Sequence, residues 1–234
     1  FHFTDESYPP ALFRKLTRGL VESNMGIYWT THMRFEKSLL EDQVWQDAKE
    51  SGCKYLHFGY ESGNERVLKL MDKATTTAIM TEHLKRTAEA GIWNHCMGFF
   101  GFPGETKEEA WSSVEFLEQN KEHVHSLGFG TFDLGRHNPV AKHPEKWGVT
   151  AYKNPEWDLA LDYYYTVKNG MSIEEAERVF EQFERNHYAG WDLRLYIREY
   201  IFLYICKFGM GKLPDLQYQA VKTMGVTPTL AGKM

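Results

Sequence analysis

Carboxylates, a guanidinium and glycines recur in this 234-residue chain wherever a strand-like run gives way to a helix-like one. Asp5 and Glu6 follow Phe1-His2-Phe3-Thr4, and Thr31, His32 and Arg34 close the next such run. Glu61 stands between glycines in Gly59-Tyr60-Glu61-Ser62-Gly63. Gly98 and Gly101 belong to Gly98-Phe99-Phe100-Gly101-Phe102-Pro103-Gly104-Glu105-Thr106, and Asp133, Arg136 and His137 follow the last run. A carboxylate accepts from hydroxyls or an ammonium, a guanidinium grips a carboxylate through two parallel bonds, and glycine lets a ligand reach the backbone. Such a set suits a small polar molecule. Each member also has a plainer explanation. Asp5 and Glu6 can simply charge a helix N-terminus, worth about 0.3–1 kcal/mol, Arg34 can pair with Glu36, and Pro103 accounts for a tight glycine turn. Glu61 is harder to explain away, because a carboxylate following buried strand residues needs partners.

The elements that must position these residues alternate. Strands are expected at Phe1 to Thr4, Ile27 to Thr31, Tyr55 to Phe58, Trp93 to Phe99 and Ser126 to Phe132. Between them, helices are expected from Pro9-Pro10 to about Asn24, from a Ser38-Leu39-Leu40-Glu41 capping box to Gly52, from about Thr76 to Ala90, and from Thr106 to Asn120. Gly52 and Gly91 stop their helices, and Gly59 and Gly98 repeat at the same offset in the strands that follow. Alternation of this kind demands an α/β fold with parallel strands, and in parallel folds ligands bind where the carboxyl ends of the strands converge. A full eight-stranded barrel needs about 250 residues, so a partial barrel is expected. The chain opens on Phe1 in mid-strand pattern, which reads as a fragment with upstream elements missing.

Residues 1–135 form this partial barrel. Asn138-Pro139, His143-Pro144 and Asn154-Pro155 mark 136–156 as a connector. Residues 157–210 read as a helical extension. It opens with the aromatic Trp157 to Tyr165, then carries a helix led by the Ser172-Ile173-Glu174-Glu175 capping box. A second helix follows from about Asp192 to Phe208, apolar nearly all round and therefore expected to be buried. Residues 211–234 read as a loose tail.

Composition narrows the role. The net charge of −5 offers no basic field for nucleic acid or anionic lipid. The longest apolar stretch, Tyr200 to Cys206, is too short to span a bilayer. Cys53, Cys96 and Cys206 are too few and too scattered for a disulfide framework or a chelating pair, which favours a reducing cytoplasm. His2, His57, His83, His95, His123 and His125 show no metal-ligand spacing and read as core or surface residues, so no metal site is expected.

Taken in order, Phe1-His2-Phe3-Thr4-Asp5-Glu6, Thr31-His32-Met33-Arg34, Phe58-Gly59-Tyr60-Glu61-Ser62-Gly63-Asn64 with Met71-Asp72-Lys73, and Gly101-Phe102-Pro103-Gly104-Glu105-Thr106 resemble the radical S-adenosylmethionine enzymes. They are most similar to the group with an upstream cobalamin-binding domain. The resemblance covers residues 1 to about 135. It implies a six-strand partial (β/α)6 TIM-like barrel missing here its first βα unit, and with it the Cys-x-x-x-Cys-x-x-Cys loop that ligates a [4Fe–4S] cluster. It further implies reductive cleavage of S-adenosylmethionine to a 5′-deoxyadenosyl radical that abstracts a substrate hydrogen, and methyl transfer where cobalamin is present. By position, Asp5 and Glu6 match the place that binds the cofactor's amino group. Thr31 and Arg34 match a strand end that approaches cofactor or substrate. Glu61, followed by Ser62, matches a position associated with the ribose hydroxyls, and Gly98 to Gly101 match backbone passing the adenine. His32 stands where many relatives have a small amide, so the substrate side departs from the pattern. An electron donor such as flavodoxin or ferredoxin and an unread small-molecule or peptide substrate are the implied partners, and the isolated fragment is expected to be inactive. Two other readings stay open: a non-catalytic S-adenosylmethionine- or cobalamin-associated module without its cluster loop, and an ordinary α/β-barrel lyase or isomerase using Glu61 as base.

Overall fold

A computed structural model describes residues 1–5, 7–152, 161–186 and 198–212. Five parallel strands form one sheet in sequence order: β1 (His2–Phe3), β2 (Trp29–Met33), β3 (Cys53–Glu61), β4 (Trp93–Phe100) and β5 (Ser126–Thr131). The helices α1 (Pro10–Ser23), α2 (Asp42–Glu50), α3 (Glu65–Leu70), α4 (Thr77–Glu89) and α5 (Lys107–Gln119) connect them. Strand alternation explains the layering. Phe3, Trp29, Met33, Leu56, Phe58, Tyr60 and Cys96 share a core with Phe13 of α1, Trp45 of α2, Leu84 of α4 and Val114 of α5. The intervening residues, His32, Tyr55, His57 and His95 among them, therefore face away from those helices. The expected α/β class and parallel order hold.

Local chemistry sets most boundaries. Thr76 caps α4 through the Ile79 N–H, and Thr106 with Glu109 makes a reciprocal capping box on α5. The expected box at Ser38 to Glu41 does not form. Lys37–Leu39 is a single 3₁₀ turn, and α2 starts at Asp42 with no side-chain cap from Glu41. Arg14 of α1 takes the groups instead, donating to the Ser38 carbonyl and to both Glu41 carboxylate oxygens. A cross-helix guanidinium has outcompeted a local cap.

The region after β5 departs further from expectation. The 136–156 stretch is not merely a connector, for it contains α6 (Pro139–Lys142) and β6 (Val149–Tyr152). Within the expected helical extension lies β7 (Tyr164–Val167), antiparallel to β6. This ribbon packs Val149 and Tyr165 with Phe102, Phe132 and Val140, over the loop that follows β4. The Tyr165 hydroxyl donates to the Phe132 carbonyl at 2.9 Å. α7 (Ile173–Asn186) starts with the expected Ser172/Glu175 box, 2.8 and 3.2 Å, and seats Phe183 against Phe100 and Phe129 of the sheet. α8 (Arg198–Phe208) is buried along one side only. Ile201, Phe202 and Ile205 pack on Tyr55 and Trp93, while Tyr200, Leu203 and Phe208 are exposed. The expected helix segment 192–197, Trp157 to Ala160 and the tail from 213 lie outside the described residues.

Candidate functional site

Because all five strands are parallel, their carboxyl ends share one edge of the sheet. That edge receives Asp5 after β1, Arg34 after β2, Glu61 at the end of β3 and Gly101 after β4. Glu6 lies outside the described residues.

Glu61 is the most constrained of these. Its backbone φ is +62°, a left-handed conformation uncommon outside glycine, and β3 bulges against β4 between Gly59 and Glu61. The side chain folds back over Gly59, where an added Cβ would meet Oε1 at 3.0 Å. Lys73 donates to that same oxygen at 2.8 Å. The turn is bolted to α5. The Tyr60 hydroxyl donates to the Ser113 carbonyl, the Ser62 and Ser113 hydroxyls pair at 2.9 Å, and the Gly63 N–H donates to Ser113 Oγ. Gly63 is packed too closely for any side chain: a Cβ would sit 2.7 Å from that of Phe116. Asn64 then caps α3. The sequence Gly-Tyr-Glu-Ser-Gly-Asn thus presents one carboxylate on a rigid mount, and Ser62 is part of the mount rather than of the exposed edge.

The glycine turn after β4 has its own mount. Gly101 (φ +86°) and Gly104 (φ +90°) bracket Phe102-Pro103. Glu105, fully buried, accepts from the Gly101 N–H at 2.6 Å, and burial pushes its carboxyl up to about 7. The Gly101 N–H is therefore already engaged, as are the Phe102 and Gly104 carbonyls, which accept from the Glu105 N–H and from Arg66. Gly98 sits in β4, where a Cβ would strike the Phe129 ring at 2.7 Å. Packing alone requires that glycine. Thr31 is buried on the side of Trp29 and Met33, its hydroxyl donating to the Phe3 carbonyl at 3.2 Å.

The donor set can hold an amino-acid-bearing nucleoside. Asp5 and Glu61 offer carboxylate acceptors and Arg34 an exposed cation, while in the glycine turn Gly101 to Pro103 are buried and Gly104 is half-buried. An iron–sulfur cluster finds no such match among the described residues. Cys53 and Cys96 are completely buried and burial pushes both thiols well up, while Cys206 lies on α8. Buried, protonated thiols at those positions do not form a cluster-binding loop.

Sequence reading missed the roles of Lys73 and Glu105 and the meeting of three histidines. Lys73 carries no local signal as the partner of Glu61, twelve positions earlier. Glu105 looks like an ordinary first-turn acid of α5 until the turn above it is seen. The histidines that sequence spacing left apart meet across strands: His2, His32 and His57 bring ring nitrogens within 4.8 Å of one another. The available signal was one histidine per strand in the same alternation phase.

Comparison with known proteins bears on the family and the fold. Residues 10–117 match the radical SAM superfamily. An uncharacterized methyltransferase of Pyrococcus horikoshii is 30% identical over 100 residues, 42% of this chain and 21% of that protein. Bacteriochlorophyllide d C-12(1)-methyltransferase of Chlorobaculum tepidum is 24% identical over 199 residues, covering 81% of this chain and 41% of that protein. The chain thus spans between a fifth and two fifths of these relatives. In fold, it is similar to the cobalamin-dependent S-adenosylmethionine radical enzyme OxsB with aqua-cobalamin and S-adenosylmethionine bound. The TM-score is 0.57 at 12% identity, covering 96% of this chain and 42% of that one.

Proposed function

We propose that this chain, a radical SAM domain over residues 10–117, is the S-adenosylmethionine-holding part of a cobalamin-dependent radical SAM methyltransferase. One observation carries the reading: Glu61, strained to positive φ and fixed by Lys73, stands on the edge that also receives Asp5, Arg34 and the Gly101–Gly104 turn. Strain at a non-glycine residue persists only where the surroundings over-determine it, and it gathers at ligand sites. The two methyltransferase relatives and the fold of the cobalamin enzyme support the same class.

When bound, S-adenosylmethionine supplies the radical chemistry and a transferable methyl group, which no side chain can supply. The chain's own residues bind and orient it. The Glu61 carboxylate accepts from the ribose hydroxyls, and Lys73 keeps that carboxylate aimed. Asp5 receives the ammonium of the methionine moiety, and Arg34 engages its carboxylate or that of a substrate. The Gly98–Gly101 backbone would line the adenine, and the β6–β7 ribbon packed on Phe102 would help exclude water from that edge. The cluster, the electron from a flavodoxin- or ferredoxin-type donor and the cobalamin come from outside the described residues in this reading.

Calorimetric titration of the chain with S-adenosylmethionine tests it. Binding is expected, and Glu61→Gln is expected to weaken it by about 1–3 kcal/mol, or about 5- to 150-fold, the loss of a charge-assisted hydrogen bond. Equal affinity in the variant, or preference for a sugar phosphate over S-adenosylmethionine, overturns it.

A further inference from the structure

The face of the sheet turned away from α1, α2, α4 and α5 carries a row of histidines that the proposed cofactor edge does not use. Strand alternation puts His2, His32, His57 and His95 there, since Phe3, Met33, Phe58 and Cys96 point into the helix-packed core. The parallel register pairs His32 with His57 and His57 with His95. Three of the chain's ten histidines thus stand in one line across three strands, and His2, opposite Thr30 on β1, lies beside that line on the same face. A β-sheet face gains more from branched and aromatic apolar residues than from imidazoles, whose buried nitrogens must be satisfied. Core packing alone does not favour such a choice.

Three of the four converge. The His32 and His57 rings stack with centroids 4.5 Å apart, and His2 lies 5.6 Å from each. One ring nitrogen of each lies within 4.8 Å of the others. Burial is graded, from exposed His2 through half-buried His32 to buried His57, so the group has a fixed base. His95 is engaged differently, its Nδ1 within 2.8 Å of Ser126 Oγ and its ring edge-on to His57.

We infer that His2, His32 and His57 form a binding site for a divalent transition-metal ion of the zinc class. Neutral imidazole is the preferred ligand of zinc, nickel and copper, whereas the hard magnesium and calcium ions want oxygen. Three imidazoles on neighbouring strands already hold ring nitrogens within 4.8 Å of one another, and rotation about their side-chain bonds aims the three lone pairs at a common ion about 2.0–2.1 Å away. Three ligands leave a fourth position for water or a substrate atom, the arrangement of reactive rather than structural zinc. The inference does not depend on S-adenosylmethionine binding, because none of the three residues belongs to the edge that holds Glu61.

The test is titration of the untagged, metal-stripped chain with zinc chloride alone, followed by calorimetry, and with cobalt(II) followed by its visible spectrum. One zinc per chain is expected, with a cobalt spectrum of tetrahedral type lacking a thiolate charge-transfer band. His2→Ala is expected to weaken zinc binding at least tenfold. His2 is exposed, so this variant keeps its fold and far-ultraviolet circular dichroism confirms it. His57→Asn is expected to remove binding. Absence of zinc binding overturns the inference, as does a thiolate band in the cobalt form or an affinity that His2→Ala leaves unchanged.

Discussion

At the scale of single residues, the sequence marks where a carboxylate stands and is silent on what state it is in. Glu61 is conspicuous between two glycines, and the structure gives it the strained backbone and lysine partner that such a position calls for. Glu105 carries no comparable mark, yet it is the more deeply buried carboxyl. Its burial pushes the carboxyl up to about 7 while one oxygen holds the Gly101 N–H. A carboxyl raised in the folded state binds its proton more tightly there than in the unfolded chain. Its contribution to stability is full below about 4.5 and is lost as pH rises through about 7. Glu105→Gln keeps an acceptor for Gly101 and cannot ionise. The stability of the wild type relative to this variant, from urea unfolding, is expected to fall by about 3 kcal/mol between pH 4.5 and 8. His83 and His125, both lowered to about 4 by burial, act in the opposite sense. Their contributions are lost as pH falls below the usual histidine range, and they cancel in the difference between wild type and variant. A difference that stays level across this range shows that Glu105 is not held neutral.

At the scale of elements, periodicity and stop residues make the parallel order legible. The five strands and the helices α1, α4 and α5 stand close to where apolar spacing and caps place them. What fails is decided by distant partners. The Ser38/Glu41 box is lost to Arg14, and α8 is half exposed because, among the described residues, Tyr55 and Trp93 receive one side of it. The repeated glycines show the same limit quantitatively. Gly52 and Gly91 end equivalent helices with φ of +89° and +77°, so the sequence treats them as equals. Their surroundings differ: an added Cβ at Gly52 would lie 1.9 Å from the Ile27 carbonyl oxygen, while at Gly91 it would meet open space. Gly91→Ala is expected to cost only the left-handed penalty, about 1–2 kcal/mol. Gly52→Ala adds a backbone clash of about 1–3 kcal/mol. Chemical denaturation of the two variants checks the order, and equal losses would mean that the Ile27 segment yields freely.

At the scale of the whole molecule, the sheet has one face committed to a helix-packed core and one face lined by Tyr55, Trp93 and the histidines, and the core does not stop at residue 135. Proline-rich composition suggests a boundary there, because sequence shows the turn residues and not what the chain does after turning. In the structure, the Met171 N–H donates to the Glu105 carbonyl at 2.8 Å, and a Cβ on Gly101 would lie 2.5 Å from that of Ala176. α7 therefore covers β4 and β5 as α5 covers its neighbours, and it belongs to the same folding unit as the proposed cofactor edge. Phe183 tests this, since it lies outside 1–135 yet is fully buried against Phe100 and Phe129. Truncating a buried phenylalanine costs about 3–5 kcal/mol. Were α7 an appendage, Phe183→Ala would melt a small separate transition and leave the sheet unmoved. As part of the core, it is expected to lower a single cooperative transition by roughly 10 °C in calorimetry. The same loss loosens the Gly101–Gly104 turn that α7 braces, so the S-adenosylmethionine affinity proposed for that edge is expected to fall along with stability.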